Sequence, residues 1–357
     1  MRALLRRVGT GLLFMAVAIC FAPSLVPPFL DRIYYDGPQS AHYDGDRFLN
    51  PGFAAYRGGV PRLFFNRWAK GEGRAQWPEQ VAVRPSVPPR RVDGDAMRVT
   101  WIGHASVLVQ TQGLNILTDP IWSDRASPFS FIGPKRVRAP GIRFDDLPKI
   151  DLILISHNHY DHMDLPTLQR LWERDRPVIV SSLGNDSILG AEGIRSVALD
   201  WKQSIQVGAA RVVAERNHHW SSRWGADRNR ALWSAFTLQL PGGNIFFAGD
   251  TGWGDGQWAG ESASRPVRLA ILPIGAYEPR DFMKTNHVDP QEAVRIFEQL
   301  GAATGLGIHW GTFQLTFEPI DEPRQKLDAL VKSRGHSGRF IATEAGQAFN
   351  VPLIPAA

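Results

Sequence analysis

The sequence predicts an α/β protein in which two sheets pack face to face with helices outside. Three observations lead there. Short apolar runs of strand length alternate with segments that carry helix starts. Several of those runs end on histidine or aspartate, so the chemistry-bearing side chains gather at strand ends, where loops carry function on a rigid frame. A charge-free N-terminal stretch stands apart from both patterns.

That stretch comes first in chain order. Arg2, Arg6 and Arg7 precede 23 uncharged residues, Val8 to Leu30. As a helix they would reach roughly 34 Å, against a bilayer core of roughly 30 Å. Gly9, Gly11, Pro23, Pro27 and Pro28 interrupt the run, and its most apolar part, Leu12 to Ala22, has the length of a signal-sequence core. Residues 1–30 therefore read as a membrane anchor or a cleaved signal. The anchor is preferred because Pro23 follows Ala22 where a cut would fall. Positive charge ahead of the segment keeps that end cytoplasmic. In a bacterium this gives a membrane-anchored enzyme facing the periplasm, or a secreted periplasmic one after cleavage. Cys20 is the single cysteine, so neither a disulfide framework nor a thiolate zinc site is expected.

Residues 31–95 are rich in glycine, proline and arginine and read as an extension laid over the core, with Arg84 to Arg91 an extended connector. The globular part starts near Met97. Strands are expected over 98–102, 106–109, 115–118, 150–155, 178–180, 211–214, 231–240, 244–248 and 269–272, and in the run ending at Ile308. Helices are expected over 165–173, after Asp164, and over 322–333. A third covers 290–300, with Asp289 as N-cap and Pro290 at the first helical position. No internal repeat is visible.

The formal net charge is +5, and the excess is uneven: residues 53–143 hold 14 Lys and Arg against 6 Asp and Glu, Arg136 and Arg138 among them. Such a stretch attracts anionic surfaces. Together with the N-terminal segment it points to a membrane surface. No nucleic-acid-binding motif accompanies it, so nucleic acid is not an expected partner.

The densest chemistry lies in Ser156 to Asp164, which reads S-H-N-H-Y-D-H-M-D directly after the apolar run Ile150 to Ile155. Neutral imidazoles and a carboxylate packed this closely bury badly unless something binds them. A divalent cation is the natural partner. Downstream, His218 and His219 follow one apolar run, Asp250 another and His309 a third. These residues make two shells. His157, His159 and one of His218 and His219 would hold a first ion. Asp161, His162 and His309 would hold a second, with Asp250 bridging both. Two ions roughly 3.5–4 Å apart can stabilise both the attacking and the leaving oxygen of a displacement.

The order H-x-H-x-D-H, His, Asp, His resembles the metallo-β-lactamase superfamily. Within it, the chain is most similar to the N-acyl-phosphatidylethanolamine-hydrolysing phospholipases D, from about Tyr35 to the C-terminal region. That likeness rests on Trp101 to Ser106, Asp119 to Ser123, Ser127-Pro128 with Gly133 to Arg136, and Ile155 to Asp164. It continues through His219-Trp220, Phe247 to Gly252, Pro273 to Arg280, His287 to Pro290 and Ile308 to Thr312.

The resemblance implies an αβ/βα four-layer sandwich over residues 96–357. It selects His219, which precedes a tryptophan, and leaves His218 a neighbour. It implies two Zn2+ ions, although His/Asp shells also accept Mn2+ or Fe2+, and a homodimer. The implied reaction is hydrolysis of N-acyl-phosphatidylethanolamine to N-acylethanolamine and phosphatidic acid by a hydroxide bridging the metals. Asp161 would orient that hydroxide, and His287 would contact the phosphate or assist the leaving group. Arg223, four residues after His219, would pair with a phosphodiester oxygen or form a surface ion pair, and Tyr160 would shape the way in. Trp220, Trp224, Trp253, Trp310 and Phe313 are candidates to line an acyl channel. His104 reads as support for the metal site or as a packed loop residue, and His42 and His336 as exposed. One departure bears on substrate: Phe129-Ser130-Phe131 stands where the mammalian-type pattern carries a glutamine. The alternative function is a dimetal lactonase or related hydrolase acting on a soluble phosphorylated substrate.

Overall fold

The computed structural model describes residues 7–15, 17, 33–52, 73–262 and 266–354. Strands β1 to β6 are Met97–Gly103, Ser106–Thr111, Leu114–Thr118, Leu152–Leu154, Val178–Ser182 and Val197–Leu199. Strands β7 to β10 are Ser204–Val207, Ala210–Glu215, Ala235–Gln239 and Asn244–Phe247. Strands β11 to β14 are Val267–Pro273, Thr304–Ile308, Phe340–Ile341 and Ala348–Asn350. The helices are α1 Leu165–Asp175, α2 Asn185–Ala191, α3 Trp258–Ser262, α4 Arg280–Met283, α5 Pro290–Leu300 and α6 Glu322–Ser333.

The strands form two mixed seven-stranded sheets, ordered β14-β1-β2-β3-β4-β5-β6 and β13-β12-β11-β10-β9-β8-β7. From β14 to β6 the first sheet runs through three antiparallel pairings and then three parallel ones. From β7 to β13 the second does the same. The two halves thus repeat one topology without a visible sequence repeat.

Side-chain alternation explains the layers. Val99, Trp101, Val107, Val109, Leu152 and Leu154 point between the sheets and pack with Val212, Phe236, Leu238 and Phe246. Their alternates Ile102, Leu108, Leu117 and Ile153 point outward, where Leu168, Leu171 and Trp172 of α1 and Leu189 of α2 cover them. This period-2 division is what a strand buried on both faces requires. The second sheet is covered by α5, whose Ala293, Val294 and Phe297 are buried, and by α6. The result is helix, sheet, sheet, helix.

Helix α5 starts as expected: Asp289 accepts from the Glu292 amide at 2.9 Å, and Glu292 Oε2 accepts from the Asp289 amide at 3.2 Å, a capping box with Pro290 at its first position. Asp164 precedes α1, but its carboxylate is used elsewhere, accepting from Ser123 Oγ at 2.8 Å and from Thr167 Oγ1 at 2.5 Å. Strand β9 is shorter than expected, since 231–234 run as a loop beside the Ser156 segment.

Several sequence expectations need correction. Arg136 and Arg138 are buried struts, not surface charges. Arg136 donates to the Ser123 and Ile121 carbonyls, both at 2.9 Å, and Arg138 to the Gly311 carbonyl at 3.0 Å. His42 is half-buried, bonded to Asp200 at 2.7 Å and stacked on Trp201. His336 is also half-buried, 3.0 Å from Glu298. Most of the expected N-terminal membrane segment, and Arg57, Arg62, Arg67 and Lys70, lie outside the described residues. Among the described residues, no helix is long and apolar enough to cross a membrane. Residues 7–15 and 17 are helical, with Val8, Leu12, Leu13, Phe14, Met15 and Val17 exposed.

Candidate metal centre

The strand ends of both sheets converge on one point. The H-x-H-x-D-H loop leaves β4, the His219 arm leaves β8, the Asp250 turn leaves β10 and the His309 turn leaves β12. Gly249 permits the approach: it has φ +60°, and a Cβ there would meet Ser156 Cβ at 2.5 Å. The His219 arm is fastened to the Asp250 turn. Asn217 Nδ2 donates to the carbonyls of Ala248 at 2.8 Å and Asp250 at 2.9 Å, and the Gly252 amide donates to the His218 carbonyl at 2.7 Å.

His157, His159 and His219 form one cluster of potential donor atoms, all buried or half-buried. His157 Nε2 and His159 Nδ1 face each other at 2.7 Å. His104, Asp161, His162 and His309 form a second cluster. Asp250 lies between the two: its Oδ2 is 3.1 Å from His162 Nε2, 3.1 Å from His309 Nε2 and 3.9 Å from His219 Nε2. His287 joins at 3.8 Å from that oxygen, Nδ1 to Oδ2. The structure therefore gathers all seven sequence-expected ligands, and His287 with them. His218 turns away; its amide donates to Thr251 Oγ1 at 3.0 Å, and burial lowers its imidazole to about 4.

Outer hydrogen bonds aim the ligands, as metal-binding histidines require. Asp119 Oδ2 accepts from His162 Nδ1 at 2.7 Å and from Ser156 Oγ at 2.5 Å, and Ser156 Oγ meets His157 Nδ1 at 2.9 Å. One buried carboxylate thus reaches a histidine of each cluster. Burial raises the Asp119 pKa, and the His162 and Ser156 contacts oppose that rise. The Asn286 carbonyl holds His219 Nδ1 at 2.9 Å. Sequence reasoning used Asp119 only as part of a matching block and missed this role.

The electrostatics differ between the clusters. Burial lowers the pKa of His157 and His219 well below the usual histidine value and that of His159 to about 3, so these imidazoles are neutral. Burial also opposes charge on His162 and His309, but Asp250 and Asp161 outweigh it, raising His162 well above its usual value and His309 to about 9. Both carboxylates are held low by His162 against the burial that would raise them.

These residues fit a pair of divalent cations. His219 Nε2 and Asp250 Oδ1 are buried and have no hydrogen-bond partner, and His162 Nε2 and His309 Nε2 face only the Asp161 and Asp250 carboxylates. Unpartnered buried donors and acceptors are costly, and a cation satisfies them together. The His/Asp donor set suits Zn2+, Mn2+ or Fe2+.

Arg223 sits beside the loop but is not a surface ion pair. Its Nη1 donates to the carbonyls of Asn158 at 3.0 Å and Met163 at 2.9 Å, and its guanidinium lies 4.0 Å over the Tyr160 ring. Tyr160 and Arg223 line a cavity of about 630 Å³ with Tyr34, Met163, Ile188 and Trp224. Among the tryptophan and phenylalanine candidates, only Trp224 lines it. Trp310 stacks on Trp101 at 5.0 Å, Phe313 lies edge-on to His104, Trp253 packs against the core, and Trp220 covers His159 at 4.2 Å.

Residues 114–310 match the family model "Beta-lactamase superfamily domain". The chain is 35% identical over 329 residues to "N-acyl-phosphatidylethanolamine-hydrolyzing phospholipase D 1" of Caenorhabditis elegans, spanning 85% of this chain and 92% of that protein. It is 36% identical over 256 residues to the mitochondrial N-acyl-phosphatidylethanolamine-hydrolyzing phospholipase D of Saccharomyces cerevisiae, spanning 70% of this chain and 54% of that one. Among solved structures it resembles Igni18, a metallo hydrolase of the archaeon Ignicoccus hospitalis, with a TM-score of 0.54 and 20% identity over 72% of this chain and all of that one. By these matches and by the architecture that carries the centre, the chain belongs to the metallo-β-lactamase superfamily and is a metal-dependent hydrolase.

Proposed function

We propose that the protein is a phosphodiesterase of phospholipase D type that hydrolyses N-acyl-phosphatidylethanolamine to N-acylethanolamine and phosphatidic acid, with two Zn2+ ions in its centre. The observation that carries this reading is the cavity of about 630 Å³ built against the outer side of the H-x-H-x-D-H loop. Its wall includes Tyr34, Met163, Leu165 and Ile188, with Pro128 and the half-exposed Trp224 beside them. Next in sequence to Pro128, Phe129, Phe131 and Ile132 are exposed, Phe131 at 76%. Ser127, Asp164, Gln169, Ser187, Glu192 and Arg223 line it as well, so the wall is amphipathic; with the apolar surface loop beside it, this supports a substrate that carries both acyl chains and a charged head. The names of the nematode and yeast relatives point to the same substrate.

When bound, the cations supply an activated water and offset charge on the phosphoryl oxygens. Asp250, between the two clusters, would hold both cations, and Asp161 would hold the second. His287, buried with Nδ1 free of any protein hydrogen bond, would hold a proton for the departing N-acylethanolamine oxygen. Arg280 fixes that histidine's loop by donating to the His287 carbonyl at 2.7 Å. Arg223 braces the metal loop and lends positive charge to the cavity wall, where the phosphodiester enters. The exposed apolar side chains on helical residues 7–15 and 17 support an N-terminal membrane tether. The homodimer rests on the resemblance alone.

The test is mass spectrometry of products formed from N-acyl-phosphatidylethanolamine vesicles by the metal-loaded protein and its His309→Ala variant. N-acylethanolamine and phosphatidic acid, formed by the wild type and lost in the variant, are expected. No product from a wild type holding two metals per chain would sink the phospholipase assignment and favour a soluble phosphoester or lactone.

A further inference from the structure

His104 stands outside the seven-residue ligand set, yet its ring lies within the centre. We propose that His104 is a positioning residue of the second cation site: a hydrogen bond from its Nε2 fixes the Asp161 carboxylate among the other donors. The inference rests on the two-cation reading and concerns ligand geometry, independently of substrate.

The contact is direct. His104 Nε2 lies 2.8 Å from Asp161 Oδ2. That same oxygen is 3.3 Å from His162 Nε2 and 3.4 Å from His309 Nε2. A carboxylate on a loop can rotate about its own side-chain bonds, and a metal site needs its ligands held to a fraction of an ångström. His104 supplies that restraint.

His104 is itself held tightly enough to serve as a reference. It is buried, and its φ of +53° puts a non-glycine residue in the left-handed region. Its amide donates to Thr312 Oγ1 at 2.8 Å. Its carbonyl accepts from the His309 amide at 2.9 Å and from Trp101 Nε1 at 2.9 Å. Its ring packs 4.1 Å from that of His309 and edge-on to Phe313 at 5.2 Å. An uncommon backbone conformation persists where several contacts determine it together. The β1–β2 turn of the first sheet is thereby locked to the His309 turn of the second, and Asp161 is bonded to the locked unit. A merely packed loop histidine would not need its ring nitrogen on the carboxylate that faces two potential ligands.

The experiment compares wild type with His104→Ala, His104→Phe and His104→Gln. Alanine removes the ring, phenylalanine keeps its bulk without the donor, and glutamine restores an N–H at similar reach. Zn2+ content is measured by elemental analysis and the affinity of each site by chelator competition. Co2+ loading gives the visible spectrum of the second site, and metal-free thermal unfolding controls for folding. The wild type should hold two ions. The alanine and phenylalanine variants should keep the first ion, lose about ten- to a hundredfold in affinity for the second and shift its cobalt spectrum, while glutamine recovers most of both. Wild-type affinity and spectrum in the phenylalanine variant would overturn the proposal. So would a glutamine variant as deficient as the phenylalanine one with unchanged metal-free stability, because the imidazole would then act as a ligand itself. A wild type that holds one ion at saturation would instead sink the two-cation reading.

Discussion

His219 and His309 each bring one histidine from the C-terminal sheet to the H-x-H-x-D-H loop, but they arrive on different supports. His309 directly follows β12, a fully buried strand flanked by β11 and β13. His219 sits four residues beyond β8, on a long arm that reaches β9 only at Ala235. The N-terminal extension ties that arm down. Asn50 Nδ2 donates to the His219 carbonyl at 2.8 Å, the Phe48 amide to the Asn229 carbonyl at 2.8 Å and the Tyr34 hydroxyl to Asp227 Oδ2 at 3.0 Å. Arg47 reaches the Arg228 carbonyl, and Arg230 pairs with Asp46 at 2.5 Å. The second-cation half of the centre is therefore a property of the sandwich. The first-cation half depends on a strap added to it. Disturbing the strap should loosen one half, and disturbing the sandwich core the other.

The largest effect should come where the halves meet. Asp250→Asn removes the charge both clusters share, and activity should fall about a thousandfold, about 4 kcal/mol of transition-state stabilisation. Metal content should drop below two ions per chain. Full activity in a metal-replete Asp250→Asn protein would refute the bridging role.

A second effect separates the roots of the two halves. Strands β4 and β12 carry no titratable residue, whereas β8 ends on Glu215, whose burial raises its carboxyl from 4.5 to about 7. A raised folded-state pKa on an acid means more protons bound in the folded state. Its contribution to stability is present below the unfolded value and lost as pH rises through 7. The loss is about 3 kcal/mol at most. Urea unfolding should show wild type losing stability between pH 5 and pH 8 relative to Glu215→Gln. Parallel profiles would mean that the root of the His219 arm is as indifferent to pH as the other strands.

Asp119→Asn comes next. It disturbs His162 directly and His157 through Ser156, so both affinities should fall, by about ten- to a hundredfold for the second ion and less for the first. Chelator competition reads the two separately. A larger loss at the first site would mean that Asp119 acts mainly through Ser156 and His157.

These contrasts also mark what could be read from the sequence. Asp161, His162, Asp250 and His309 were legible because ligand-type residues directly after apolar runs have few other uses. Strands such as β2, β11 and β12 were legible as apolar runs but not as faces, because they are buried on both sides. Strands β6, β7, β13 and β14, of two to four residues, are too short to show a period. The choice of His219 over His218 needed the tryptophan that follows it, since spacing alone treats both alike. Asp119 was opaque because an aspartate before proline already has an ordinary explanation as a turn residue. Arg136 and Arg138 were misread because composition reports charge without depth. The strap was invisible in principle: Asn50 meets His219 across 169 residues, and nothing local marks an asparagine for so distant a carbonyl.

Asn50→Ala therefore gives the smallest effect and the most discriminating one. The hydrogen bond it removes is worth about 1 kcal/mol, so the first ion should bind roughly five- to tenfold more weakly. The second ion, held by the loop after β4 and the turn after β12, should be unaffected. The substitution leaves the His219 imidazole and its Asn286 partner in place, so any change must pass through the backbone of the arm. Selective weakening would establish that the extension sets the position of a metal-ligating histidine. Equal weakening at both sites would mean that the strap stabilises the fold as a whole, and the division of the centre into a sandwich half and a strapped half would fail.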